Sequence, residues 1–162
     1  MRKVLIFLLF FIFIVSCNNK TEESKTKNLS KYILVDKNGN PIPLPEDKLI
    51  VVNFLAYSCV SCMKEIPIMK KVISSPEYRD KFQIIGIVID SPKGDLSDPI
   101  FPIYTNNNVN FVRFPVGGTP TTYIITPEGK KLVIIFGAIT EESFKKFLNR
   151  ALEKYKTSKT KN

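Results

Sequence analysis

Seven consecutive residues, Leu49-Ile50-Val51-Val52-Asn53-Phe54-Leu55, form an almost unbroken apolar run rich in β-branched side chains. A strand with one wet face alternates apolar and polar residues. A continuous apolar run predicts a strand buried on both faces. Such a strand needs cover on both sides of its sheet, which predicts an α/β sandwich.

The surrounding sequence fits that frame. Tyr32 to Asp36 predicts a short strand, and Asn38-Gly39 is a two-residue turn signal. Pro41, Pro43 and Pro45 keep the next segment extended and off any central strand. Cys59 to Ser74 predicts a helix in which Met63, Ile66, Met69, Lys70 and Ile73 follow helical spacing, with Pro67 inside it. Ile84 to Ile89 predicts a second buried strand. Thr122 to Thr126 and Leu132 to Phe136 flank the turn sequence Pro127-Glu128-Gly129-Lys130 and predict a hairpin. A last helix is predicted from Thr140, a good N-cap, with Glu141 and Glu142 in its first turn. Its apolar stripe is Phe144, Phe147, Leu148, Ala151, Leu152 and Tyr155. Parallel-type strands alternate with helices first and an antiparallel hairpin follows, so the central sheet is expected to be mixed. Ser91 to Asn108, with three prolines and three consecutive asparagines, predicts no helix.

The N-terminus reads as an export signal. Met1-Arg2-Lys3 is a positive start, and Val4 to Val15 is an apolar run of the length of a signal-peptide core. A membrane-spanning helix needs about 20 residues, more than this run supplies. Ile14-Val15-Ser16-Cys17 resembles a bacterial lipobox, in which the cysteine is acylated and becomes the new N-terminus. The expected organisation is therefore a lipoprotein-type signal peptide over 1–16, a polar flexible tether over 17–30, a folded domain over 31–156 and a polar tail over 157–162. Export places the domain where disulfides persist. Which membrane carries the anchor is left open.

Composition narrows the chemistry. The chain of 162 residues has no histidine, which removes the commonest general base and a common metal ligand. The net charge of +9 is spread along the chain, with an excess of lysine near the C-terminus. It suits a solvated surface near a membrane. No basic stripe interleaved with stacking aromatics points to nucleic acid.

The chemical motif is Cys59-Val60-Ser61-Cys62, which follows the buried strand after a three-residue gap and opens a helix. Free backbone N–H groups and the positive dipole end at a helix N-terminus stabilise a thiolate over a thiol. Cys59 is the expected exposed nucleophile and Cys62, one turn deeper, the resolving thiol. Two thiols and no histidine are too few for a zinc site. A Cu(I) site built on the same two thiols, a structural disulfide and a non-catalytic binding domain remain open alternatives. No cofactor is expected.

The segment Val52 to Pro67 resembles the active-site region of the TlpA/ResA-like thioredoxin family. Gly117 to Lys130 is similar to that family's cis-proline loop and following hairpin. The resemblance covers roughly Ser30 to Tyr155. It implies a thioredoxin-like fold, a central mixed sheet flanked by helices. It also implies an outward-facing, membrane-anchored thiol–disulfide oxidoreductase. By residue, it implies that Pro120 is a cis-proline, that Thr119 beside it contacts substrate, and that Glu65 moves a proton to or from Cys62. Partners implied are protein thiols or disulfides, an upstream thiol-transferring membrane donor and, as one candidate substrate, the haem-site thiols of apocytochrome c. Two positions depart from relatives. Tryptophans common before the motif are absent, with Leu55 and Ser58 in their place, and Asn53 stands where cytosolic thioredoxins carry a buried aspartate.

Overall fold

A computed structural model describes residues 32–90 and 96–160. Five strands form one sheet: β1 (Leu49–Leu55), β2 (Phe82–Val88), β3 (Ile103–Thr105), β4 (Thr121–Ile125) and β5 (Lys131–Phe136). The helices are α1 (Val60–Ile73), the four-residue α2 (Asn110–Arg113) and α3 (Glu141–Thr160). The strand order is β3-β2-β1-β4-β5. β1 pairs with β2 in parallel and with β4 antiparallel, so the sheet is mixed and β1 is its centre.

All seven residues of β1 are buried, as the apolar run predicts. Leu49, Val51 and Leu55 point to a core shared with Ile66, Met69 and Val72 of α1 and with Phe144, Leu148 and Ala151 of α3. Ile50, Val52 and Phe54 point the other way, against Leu34, Ile42 and Phe114. That second face has no long helix among the described residues. An extended N-terminal segment and the short α2 cover it instead.

The segment 32–36 differs from the predicted strand. Val35 and Asp36 make only isolated bridges, to Pro41 and Asn106. The reason is a side chain: Asn110 Oδ1 accepts the Val35 N–H at 3.0 Å and Asn110 Nδ2 donates to the Val35 carbonyl at 2.9 Å. A buried amide thus takes the two groups that a partner strand would otherwise take.

The weakly patterned stretch holds β3, which pairs in parallel with β2 and closes one sheet edge. Ahead of it, Asp98 Oδ1 accepts the N–H groups of Ile100 and Phe101, and its carboxylate is ion-paired to Lys70 of α1. Gly86 makes the close approach of β3 possible. A Cβ there would lie 2.9 Å from Ile103 Cγ1 and 3.0 Å from Leu55 Cδ2.

At the C-terminus α3 starts as expected, with the Thr140 hydroxyl accepting the Ser143 N–H at 3.1 Å. It continues through Thr160, four residues past the expected end of the domain. The hydroxyls of Thr157, Ser158 and Thr160 donate to carbonyls three or four residues back, which keeps this polar stretch helical.

Candidate active site

β1 ends at Leu55, and a tight turn brings Cys59 to the start of α1. The Cys59 N–H donates to the Ala56 carbonyl at 3.1 Å. Asp90, just past the end of β2, accepts the N–H groups of Tyr57 and Ser58 at 2.8 and 2.9 Å. Burial works against the charge of Asp90. The Ser58 and Tyr57 N–H groups outweigh it and hold the carboxyl below its ordinary range.

Cys59 is the N-cap of α1, and its sulfur accepts the Cys62 N–H at 3.2 Å. No acidic side chain stands in the first turn to offset the helix dipole. Cys59 and Cys62 are joined as a disulfide, their Cα atoms 5.3 Å apart. Cys59 is half-buried, whereas Cys62 is fully enclosed in the core between the sheet and α1. The pair therefore has one sulfur that an incoming group can reach and one that it cannot.

The Thr119–Pro120 bond is cis. The Thr119 carbonyl oxygen lies 3.6 Å from Cys59 Sγ, and Ser61 Oγ lies 3.3 Å from the same sulfur. Thr119 is partly exposed and Pro120 is buried, so of these two residues it is Thr119 that meets solvent beside the Cys59 sulfur. The Val60 side chain is 69% exposed next to Cys59, and Phe136, paired with Thr121 at the end of β5, is 74% exposed. The site is a surface with apolar neighbours. A separate cleft lies at the other end of β4, around Thr126, Glu128 and the last turns of α3.

Glu65 sits three residues after Cys62 on α1 and is buried. Its Oε1 accepts from Asn53 Nδ2 at 2.9 Å and its Oε2 accepts the Ile139 N–H at 3.2 Å. Burial pushes its pKa above the ordinary value, and these two hydrogen bonds pull only partly the other way. Asn53 also donates to Thr122 Oγ1 at 2.9 Å. Gly86 stands beside Asn53 on β2 and Thr122 beside it on β4.

Of the residues singled out in the sequence, Cys59, Cys62, Glu65, Thr119 and Pro120 thus converge at one end of the sheet. Cys17 lies outside the described residues. Asp90 and Thr122 were not foreseen. Asp90 had one available signal: it follows a buried strand parallel to β1, and residues just past the C-terminal ends of neighbouring parallel strands lie side by side. Among the described residues no group of three or more His, Cys, Asp or Glu side chains is placed to hold a metal ion.

Comparison with known proteins agrees with this geometry. The family model for a thioredoxin-like domain matches residues 42–152. The thiol–disulfide oxidoreductase ResA of Bacillus cereus is 26% identical over 135 residues, 76% of this chain and 76% of that protein. ResA of Bacillus subtilis is 26% identical over 144 residues, 80% of this chain and 77% of that protein. Two solved structures share the fold. The exposed lipoprotein thioredoxin Etrx1 of Streptococcus pneumoniae aligns with a TM-score of 0.57 at 18% identity, covering 74% of this chain and 96% of that one. StoA of Bacillus subtilis aligns with a TM-score of 0.55 at 16% identity, covering 72% and 95%. A helix-capping dithiol beside a cis-proline, on a mixed five-stranded sheet with this family match, has one assignment: the chain belongs to the thioredoxin-like family and is a thiol–disulfide oxidoreductase.

Proposed function

We propose that the chain is an extracytoplasmic, lipid-anchored reductase of disulfides in exported proteins, with Cys59 as nucleophile, Cys62 as resolving thiol and Glu65 as proton carrier. The observation that carries it is the asymmetry of the pair: a reachable Cys59 at a helix N-terminus and an enclosed Cys62 with a buried carboxyl one turn further on.

In the reduced state the Cys59 thiolate attacks a substrate disulfide. That S–S bond breaks, one substrate sulfur leaves as a thiolate and takes a proton from water, and the other is bonded to Cys59. Cys62 gives its proton to the Glu65 carboxylate and attacks the Cys59 sulfur. The second substrate sulfur leaves and recovers that proton. Two electrons have passed to the substrate, and Cys59–Cys62 is a disulfide. An external dithiol, supplied by a membrane donor, must reduce it again. The Thr119 backbone, beside Cys59, suits pairing with an extended substrate segment. The haem-site thiols of an apocytochrome c are a substrate of the right chemistry.

The anchor rests on Met1 to Cys17 of the sequence. Among the described residues no helix is long and apolar enough to cross a membrane.

The test uses the full-length chain. It is expected to reduce insulin, with activity lost in Cys59→Ser, and to show a strongly negative reduction potential. A potential near that of known oxidants overturns the reductive direction. Tight Cu(I) binding with no turnover overturns the enzymatic reading in favour of metal handling. Fatty-acid incorporation that survives Cys17→Ser overturns the anchor.

A further inference from the structure

We propose that Asn53 is the positioning residue that lets Glu65 both take and return a proton: its carboxamide turns over with the protonation state of Glu65, presenting Nδ2 to the carboxylate and Oδ1 to the carboxylic acid. The proposal rests on the proton-carrying role of Glu65 given above.

Asn53 is fully buried at the centre of β1, on the face that looks towards α1. Its two N–H bonds are both used, one to Glu65 Oε1 and one to Thr122 Oγ1, each at 2.9 Å. Its Oδ1 is buried and accepts nothing. A buried carbonyl oxygen without a donor is costly, and such atoms are rare.

These hydrogen bonds suit an ionised Glu65 better than a protonated one. Oε1 faces the Asn53 N–H and Oε2 faces the Ile139 N–H, so each carboxyl oxygen meets a donor. A proton placed on either oxygen takes up one of its lone pairs and weakens it as an acceptor for the donor it faces. The Ile139 N–H belongs to the backbone and cannot reverse. The Asn53 amide can. Turned by half a rotation, it puts Oδ1 where Nδ2 was, between Glu65 Oε1 and Thr122 Oγ1. That oxygen then accepts from the Glu65 acid and from the Thr122 hydroxyl, which can act as donor or acceptor. One rotation exchanges the donor that faces Glu65 Oε1 for an acceptor. Aspartate at this position offers no donor to the anion, and leucine offers neither partner. The asparagine amide carries both a donor and an acceptor and stays uncharged in both states.

The surroundings leave this to Asn53. Around Glu65, α1 brings the Cys59–Cys62 pair, β1 brings Asn53, β4 brings Thr122 and the turn before α3 brings the Ile139 N–H. The acidic residues of the first turn of α3, Glu141 and Glu142, are ion-paired to Lys71, Lys145 and Lys146. Among the described residues, burial, the Asn53 amide and the Ile139 N–H set the position of the Glu65 equilibrium.

The experiment follows the Glu65 carboxyl and the Asn53 side-chain amide by NMR in the reduced, full-length chain as pH is varied. Both sets of signals are expected to move with one shared midpoint, and Glu65→Gln is expected to flatten the Asn53 response. An Asn53 amide that stays unchanged while Glu65 titrates overturns the proposal. A second measurement follows release of a peptide from its mixed disulfide with Cys59. Asn53→Leu is expected to slow release by about tenfold or more. The double variant Asn53→Leu/Glu65→Gln is expected to be no slower than Glu65→Gln alone. Losses that multiply instead show a role independent of Glu65 and overturn it. A wild-type chain that reduces no disulfide refutes the proposed function, whereas the shared midpoint is read without substrate and judges the amide by itself.

Discussion

Asp90 accepts the backbone N–H of Ser58 at 2.9 Å across 32 residues of sequence. With the neighbouring bond to Tyr57, one carboxylate at the end of β2 holds the turn that delivers Cys59 to the start of α1. The position of Cys59 thus depends on the strand beside its own.

Asp90→Ala removes both acceptors and is expected to destabilise the fold by about 1 kcal/mol. The loss should be seen in urea unfolding, together with slower insulin reduction. Because its hydrogen bonds hold the folded-state pKa below that of an ordinary aspartate, Asp90 contributes stability above the ordinary value. The contribution is lost as pH falls through the lower, folded-state pKa. Wild type and Asp90→Ala are therefore expected to converge in stability in strong acid.

The two cysteines are expected to fail differently. Cys59→Ser removes the reachable sulfur of the pair and should abolish reduction. Cys62→Ser keeps the nucleophile but cannot resolve it, so the full-length variant should accumulate a mixed disulfide with its substrate. Intact mass under non-reducing conditions reads this directly. Equal accumulation in both variants would contradict the assignment.

Glu65 has a pKa raised by burial, and that fixes the sign of its effect on stability. The folded state holds a proton that the unfolded state has already released. Stability therefore declines as pH rises from the ordinary glutamate pKa through the raised one. Glu65→Gln removes the buried charge and is expected to be more stable than wild type at neutral pH. The gain should shrink as pH falls below the ordinary glutamate value. Denaturant unfolding at both pH values, set beside a reductase assay that should show slower turnover, separates this from simple damage.

Gly86→Val forces a side chain against Ile103 and Leu55, where even a Cβ comes within about 3 Å of both. Overpacking of this kind costs about 1–3 kcal/mol. The unfolding midpoint should fall. The effect is expected to exceed that of Val60→Ala, whose side chain is 69% exposed beside Cys59.

Much of the fold was legible in residue order because its signals are local. The continuous apolar run of β1, the Cys59 cap of α1, the turn between β4 and β5 and the stripe of α3 each declare themselves within a dozen residues. β3 did not, since three half-buried residues carry too little pattern and the strand exists because β2 offers it an edge. The segment around Val35 misled in the opposite sense: its pattern is strand-like, but the side chain of Asn110, 75 residues away, takes its backbone groups. The helix beyond Lys156 has a polar sequence and is extended by its own hydroxyls.

The site divides in the same way. Cys62 and Glu65 follow Cys59 by three and six positions within one helix and its cap, so helical geometry alone brings them together. Asn53 and Thr122 join Glu65 only because β1 and β4 lie in register, and Asp90 reaches the Cys59 turn only because β1 and β2 are parallel. Spacing along the chain set the two sulfurs and the carboxyl on one helix. Pairing across the sheet, which depends on contacts distant in sequence, decided which side chains hold that turn and face that carboxyl.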